Sequence, residues 1–185
     1  MAITYGNIST SRQRDFTTSS VKSIEIVNIV SGTTYSAPLL ISYILESDVG
    51  ASCSLDMEYS VNGGSSFTNA TALTSHASHS GVTGLAADAD TEQFTFVWDV
   101  EADLGATYVG STVKVRVRAT DGSAYSDYVS SPQFALSLLP SLAITAPLAS
   151  ATEGTPVLIG YTITNNRAAT GAYALTAEFS TNGSS

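Results

Sequence analysis

Ser54-Leu-Asp-Met-Glu-Tyr-Ser-Val61 is the stretch on which the fold turns. Leu55, Met57, Tyr59 and Val61 alternate with Ser54, Asp56, Glu58 and Ser60, and a period of two gives a half-buried strand one apolar and one polar face. Asn62-Gly63-Gly64 follows at once and supplies the positive-φ residues of a tight turn. The same pattern extends outward in both directions. Ile24-Glu25-Ile26 opens a first strand, and Pro38 to Leu45 reads as a buried second one. Phe94, Phe96 and Trp98 line one face of Gln93 to Val100, and Val113, Val115, Val117 and Ala119 line one face of Thr112 to Thr120. Asp121-Gly122 marks another turn, and Tyr128 to Leu136 a last strand. No segment carries a period of 3.6. About seven strands in roughly 115 residues, without a crossover helix, predict an all-β antiparallel sandwich.

Composition agrees with a β protein and excludes several functions. The chain has 185 residues, 43% of them hydrophobic, enough to build a core. Only 7 Lys and Arg face 16 Asp and Glu, a net charge of −9, which argues against nucleic acid and anionic membrane as partners. The single Cys53 rules out an intrachain disulfide and a Cys-built zinc site, and is expected to be a small half-buried residue. Residues 1–20 have no apolar h-region and so do not read as a secretory signal. The uncharged run from Tyr128 to Thr152 is broken by Pro132, Pro140 and Pro147, so no membrane span is expected.

The charges are segregated along the chain. Between Ser23 and Val113 there is no cation, whereas Arg12, Arg14 and Lys22 lie before it. Residues 1–22 therefore read as an extended, polar, slightly basic arm. Ile3, Tyr5 and Phe16 are its candidate anchors for pockets on a partner, and Arg12 and Arg14 for an acidic surface. Too few apolar residues stand there to offset about 1–2 kcal/mol of backbone entropy per residue without a partner.

An internal repeat adds a second level. Residues 24–43 align without a gap on residues 142–161, so that Pro38, Leu40, Ile41 and Tyr43 match Pro156, Leu158, Ile159 and Tyr161. After a two-residue insertion, Glu58, Ser60, Asn62, Gly63 and Ser65 recur as Glu178, Ser180, Asn182, Gly183 and Ser185. The expected organisation is an arm (1–22), a complete module (23–138), and a linker with the first strands of a second, truncated repeat (139–185). On this reading the native polypeptide is expected to continue past Ser185.

Three stretches carry a family resemblance: Glu58 to Phe67 (EYSVNGGSSF), Phe96 to Gly105 (FVWDVEADLG) and Val113 to Gly122 (VKVRVRATDG). They resemble the immunoglobulin-like and fibronectin type III-like tandem repeats of bacterial surface proteins and tailed-phage appendages. The resemblance implies an antiparallel Ig/fibronectin III-like β-sandwich and no catalytic set.

The candidate sites are few. Asp88, Asp90 and Glu92 alternate, as do Asp99, Glu101 and Asp103, and oxygen ligands at every second residue suit calcium. Neither cluster completes an EF-hand loop, and a solvated acidic edge that keeps strands from pairing with neighbours is the simpler explanation of both. Calcium is the one cofactor considered. His76 and His79 sit in a Ser/Thr-rich loop and are expected to face solvent. Lys114, Arg116 and Arg118 share the polar face of their strand, and Asp56 and Glu58 that of theirs. In a fibronectin-like sandwich these strands are neighbours, so cross-strand ion pairs are expected, each worth about 0.2–1 kcal/mol.

These readings converge on a structural, non-enzymatic protein. The expectation is a tailed-phage virion component (fibre, appendage or decoration protein), fixed by its arm and projecting β-sandwich modules. Its partners would be other virion or surface-assembly subunits, further copies in a homo-oligomer, and host-surface glycans or proteins. A bacterial cell-surface adhesin or stalk, or the accessory module of a secreted polysaccharide-degrading enzyme, is the alternative.

Overall fold

The computed structural model describes residues 21–47, 50–87, 92–147, 159–167, 172 and 174–176. Among the described residues the protein is all-β apart from one helical turn. Its elements are β1 (Val21–Ile26), β2 (Thr34–Tyr35), β3 (Leu39–Ser47), β4 (Ala51–Ser60), β5 (Thr68–Asn69), β6 (Leu85–Ala87), β7 (Glu92–Trp98), α1 (Val100–Leu104), β8 (Val109–Thr120), β9 (Val129–Ser130), β10 (Phe134–Ser137), β11 (Ser141–Pro147) and β12 (Ile159–Thr164). β1 already begins at Val21, which pairs with Ser47, so residues 21 and 22 belong to a sheet and not to the arm.

One sheet is antiparallel in the order β1-β3-β7. The larger runs β2-β10-β8-β4-β5, with β6 beside β4, β9 beside β8, and only the short β2–β10 pairing parallel. The alternation in sequence decides which side chains meet between them. Leu39, Ile41, Tyr43 and Leu45 of β3, Cys53, Leu55 and Met57 of β4, and Val113, Val115 and Val117 of β8 all enter one buried cluster. Phe96, Trp98, Phe134 and Leu136 fill it, and the Tyr59 ring lies 4.8 Å from that of Trp98. Burying each such side chain stabilises the fold by about 1.5–3 kcal/mol. Cys53 is fully buried, deeper than its sequence context indicates.

Two expectations change. Alternation in β4 stops at its end, where Ser60 is buried and Val61 is exposed. Ser60 Oγ accepts from Gly64 N at 2.9 Å and donates to Asn62 Oδ1 at 2.8 Å, so it ties the turn in which Gly63 and Gly64 take positive φ. The second change is α1, inside a segment that reads as strand and acidic edge. Asp99 accepts from Ala102 N at 3.1 Å as its N-cap, and Gly105 at φ 83° closes it by donating to Glu101 O.

β11 and β12 form a separate antiparallel pair. Leu142 faces Ile163 and Ile144 faces Tyr161, while β1 and β3 set Ile24 against Leu45 and Ile26 against Tyr43. Each of these positions lies 118 residues beyond its counterpart. Contacts among the described residues join this pair to the rest: Ala37 N donates to Asn166 O at 3.0 Å, Asn166 Nδ2 to Leu139 O at 2.7 Å, and Arg167 Nε to Glu101 Oε1 at 3.4 Å. Among the described residues no helix is long and apolar enough to cross a membrane.

Candidate functional site

The densest group of charged and aromatic side chains lies on the outer face of β4 and β8. Their antiparallel register places Asp56 opposite Arg118, Glu58 opposite Arg116, and Ser60 opposite Lys114. Arg118 donates through Nε and Nη2 to Asp56 Oδ2, both at 2.9 Å. Arg116 holds Glu58 Oε2 through Nε at 2.6 Å and Nη2 at 2.5 Å. Lys114 faces a serine, not a carboxylate, and stands apart from the two pairs because β4 offers no third acid at its level.

Aromatic rings complete the arrangement. The Arg116 guanidinium lies 4.0 Å from the centroids of both Phe67 and Tyr128, and that of Arg118 lies 3.9 Å from Tyr125 and 4.6 Å from Tyr128. The order across the face is Phe67, Arg116, Tyr128, Arg118, Tyr125. Each cation–π contact at such a half-exposed site contributes about 0.5–1 kcal/mol. The Tyr128 hydroxyl donates to Glu58 Oε1 at 2.8 Å. Burial first, then that hydrogen bond, raises the Tyr128 pKa above the ordinary tyrosine value. Both guanidinium groups have rings on their faces and carboxylates on their edges, so this face is built to hold itself together and not to take up a polyanion.

The acidic residues 99, 101 and 103 are not brought together. Each is engaged with a different partner around the helical turn. Asp99 caps α1. Glu101 pairs with Arg167. Asp103 accepts from the indole Nε1 of buried Trp98 at 2.6 Å, and from Thr71 N and Oγ1 at 2.8 and 2.6 Å. This corrects the alternating calcium arrangement for that cluster, because alternation presumes an extended strand. Of the other cluster, Glu92 opens β7 opposite Leu45, exposed, while Asp88 and Asp90 lie outside the described residues. So do the arm residues Ile3, Tyr5, Arg12, Arg14 and Phe16, and the repeat positions from Glu178 onward. Among the described residues no group of three or more His, Cys, Asp and Glu side chains is placed to hold a metal ion.

His79 also departs from expectation. It is half-buried, its ring edge-on to Phe96 at 5.5 Å, and its Nδ1 accepts from Val97 N at 3.1 Å. No sequence signal marks it, since a histidine in a Ser/Thr-rich loop ordinarily faces water. Phe67 and Tyr125 carry no such signal either: both lie outside the strands, and only the fold carries them over β8.

The chain matches no family model, no curated protein and no solved structure.

Proposed function

We propose that this protein is a structural component of a tailed-phage particle, built from Ig/fibronectin III-like β-sandwich modules in tandem. The observation that carries the reading is the shared register of β1–β3 and β11–β12 at a constant offset of 118, which supports a repeated module. Two further features fit a load-bearing part. The two arginines of the β4–β8 face are neutralised within the face by Glu58 and Asp56. The contacts of Asn166 and Arg167 with Ala37, Leu139 and Glu101 favour a stiff joint between units over a loose linker. The reading assigns no catalytic residue and no cofactor. Residues 1–20 would fix the protein to neighbouring subunits, and the modules would project outward.

Immunogold labelling with antibody raised against residues 21–138 tests this reading. Label on purified phage particles, lost when residues 2–20 are deleted, is the expected result. Label confined to the bacterial cell surface would overturn it in favour of an adhesin or stalk.

A further inference from the structure

The outer edge of β7 is an edge strand whose pairing groups from Thr95 to Asp99 are engaged, but not by another strand. On its other side β7 is paired along its length with β3. On the open side, Asp99 N donates to Thr71 O at 2.8 Å, Ala72 bridges Trp98, and Leu73 N donates to Val97 O at 2.8 Å. Ser80 N donates to Thr95 O at 2.9 Å. Two further donors on that edge go to side chains: Thr95 N to Ser80 Oγ at 2.9 Å and Val97 N to His79 Nδ1 at 3.1 Å. Residues 71–80 therefore act as a surrogate strand in which a hydroxyl and an imidazole stand in for backbone carbonyls. An edge left bare would offer its N–H and C=O groups to any extended chain.

We propose that residues 71–80 form a pH-released strap over the edge of β7, with His79 as its catch. The chemistry lies in the imidazole. Nδ1 accepts the Val97 N–H only while it carries no proton, so the neutral ring bears its proton on Nε2. A second proton turns Nδ1 into a donor aimed at another donor, and the bond is lost. The new charge would also lie in a half-buried position, beside Phe96 and with Nε2 buried and unpartnered. Burial first, and then the nearby His76, hold the His79 pKa below the ordinary value of 6.5.

The surrounding charges do not counter this. His76, on the same strap, acts in the same direction as burial. On β7 the ring and its bond face Phe96 and Val97, which carry no charge, and Glu92 lies five residues back along the strand. At the far end of the strap, Asp99 and Asp103 are bound to Ala102, Thr71 and Trp98. The Asp103–Thr71 bonds form the hinge end, and the His79–Ser80 end releases.

A depressed folded-state pKa means that the neutral ring stabilises the closed strap above 6.5, and that this stability falls as pH drops below it. Amide exchange on the intact chain tests the proposal, with protection factors corrected for intrinsic exchange at each pH. Between pH 7.5 and 5, protection at Val97 and Thr95 should fall as pH drops below 6.5, by at most about tenfold per pH unit, and level off once pH passes the lower pKa of the closed ring. The amides of the β4–β8 ladder should keep theirs. His79→Asn, which places an amide oxygen near the Nδ1 position, should keep Val97 protected at both pH values, and His79→Ala should leave it open at both. Unchanged protection at Val97 in the wild-type chain between pH 7.5 and 5 would overturn the proposal without any variant. So would a loss in His79→Asn equal to that of the wild type.

Discussion

β1–β3 and β11–β12 are paired in the same register by closely similar residues, yet their surroundings are opposite. Ile24, Ile41, Tyr43 and Leu45 are at most 7% exposed, whereas Leu142, Ile159, Tyr161 and Ile163 are between 36% and 56% exposed. Register is thus a local property, set by alternating side chains and the backbone ladder. Burial is not. In β1–β3 it comes from the facing sheet, through Cys53, Leu55, Met57, Val113, Val115 and Phe134. Among the described residues β11–β12 has no such facing sheet, and a two-stranded pair alone has hydrogen bonds but little to offset the entropy of ordering. The stability of the protein should therefore be strongly uneven along the chain.

The largest expected effect breaks the comparison directly. Ile41→Ala removes a side chain with no exposed surface and should cost about 2–5 kcal/mol of unfolding free energy. Ile159→Ala, at the matching position of β12, should change the main transition by less than about 0.5 kcal/mol. Urea unfolding followed by Trp98 fluorescence reads both. Equal losses would mean that the β11–β12 face is covered in solution.

A middle-sized effect asks what holds the cover of β1–β3 in place. Trp98 is fully buried opposite Leu39, and its indole N–H has Asp103 as its partner. Asp103→Ala leaves that donor and Thr71 N without an acceptor and should cost about 1–3 kcal/mol. Asp99→Ala removes only the cap of a single turn and should cost less, about 0.5–1 kcal/mol. The opposite ranking would show that α1, and not the indole bond, closes this end of the core.

Much of this architecture is legible in the residues. Alternation in Ser54–Val61 and Thr112–Thr120 is enough to sort core from surface side chains, and the Gly-rich turns mark where strands reverse. Alternation fails where a side chain does the work of the backbone. Ser60 turns inward because its hydroxyl binds the turn, and Asp99 starts a helical turn because its carboxylate binds Ala102 N. His79 and Ser80 complete a strand edge from within a loop. Such bonds depend on tertiary placement, so a period read along the chain does not reveal them. The same holds for the ring order over β8. Arg116 and Arg118 declare their face by period, but Phe67, Tyr125 and Tyr128 reach it from outside the strands.

That ring order sharpens the comparison further, because β11–β12 has no equivalent among the described residues. Arg118→Ala removes one ion pair and two ring contacts at a site where the arginine side chain is 30% exposed. Solvent screening keeps the expected loss near 1 kcal/mol. A double-mutant cycle with Asp56→Ala should assign less than about half of it to the ion pair. A coupling equal to the whole loss would make the rings bystanders.

The smallest effect lies where the two regions meet. Arg167 reaches Glu101 at 3.4 Å, a long contact between side chains that are 29% and 17% exposed. Asn166 adds two hydrogen bonds that do not depend on it, to Ala37 and Leu139. Removing the guanidinium should therefore weaken the joint without opening it, by about 0.5 kcal/mol. In amide exchange that corresponds to roughly a twofold loss of protection in β11 and β12 of Arg167→Ala. The urea midpoint of the main transition should stay in place, because Glu101 keeps solvent access and Val100, not Glu101, is the α1 residue that enters the core. Glu101→Gln should give the same small loss, and the two changes together should cost no more than either alone. A shifted main transition in Arg167→Ala would show instead that the joint belongs to the folding unit of the first sheets. The contrast between the two strand pairs would then be one of degree along a single cooperative structure.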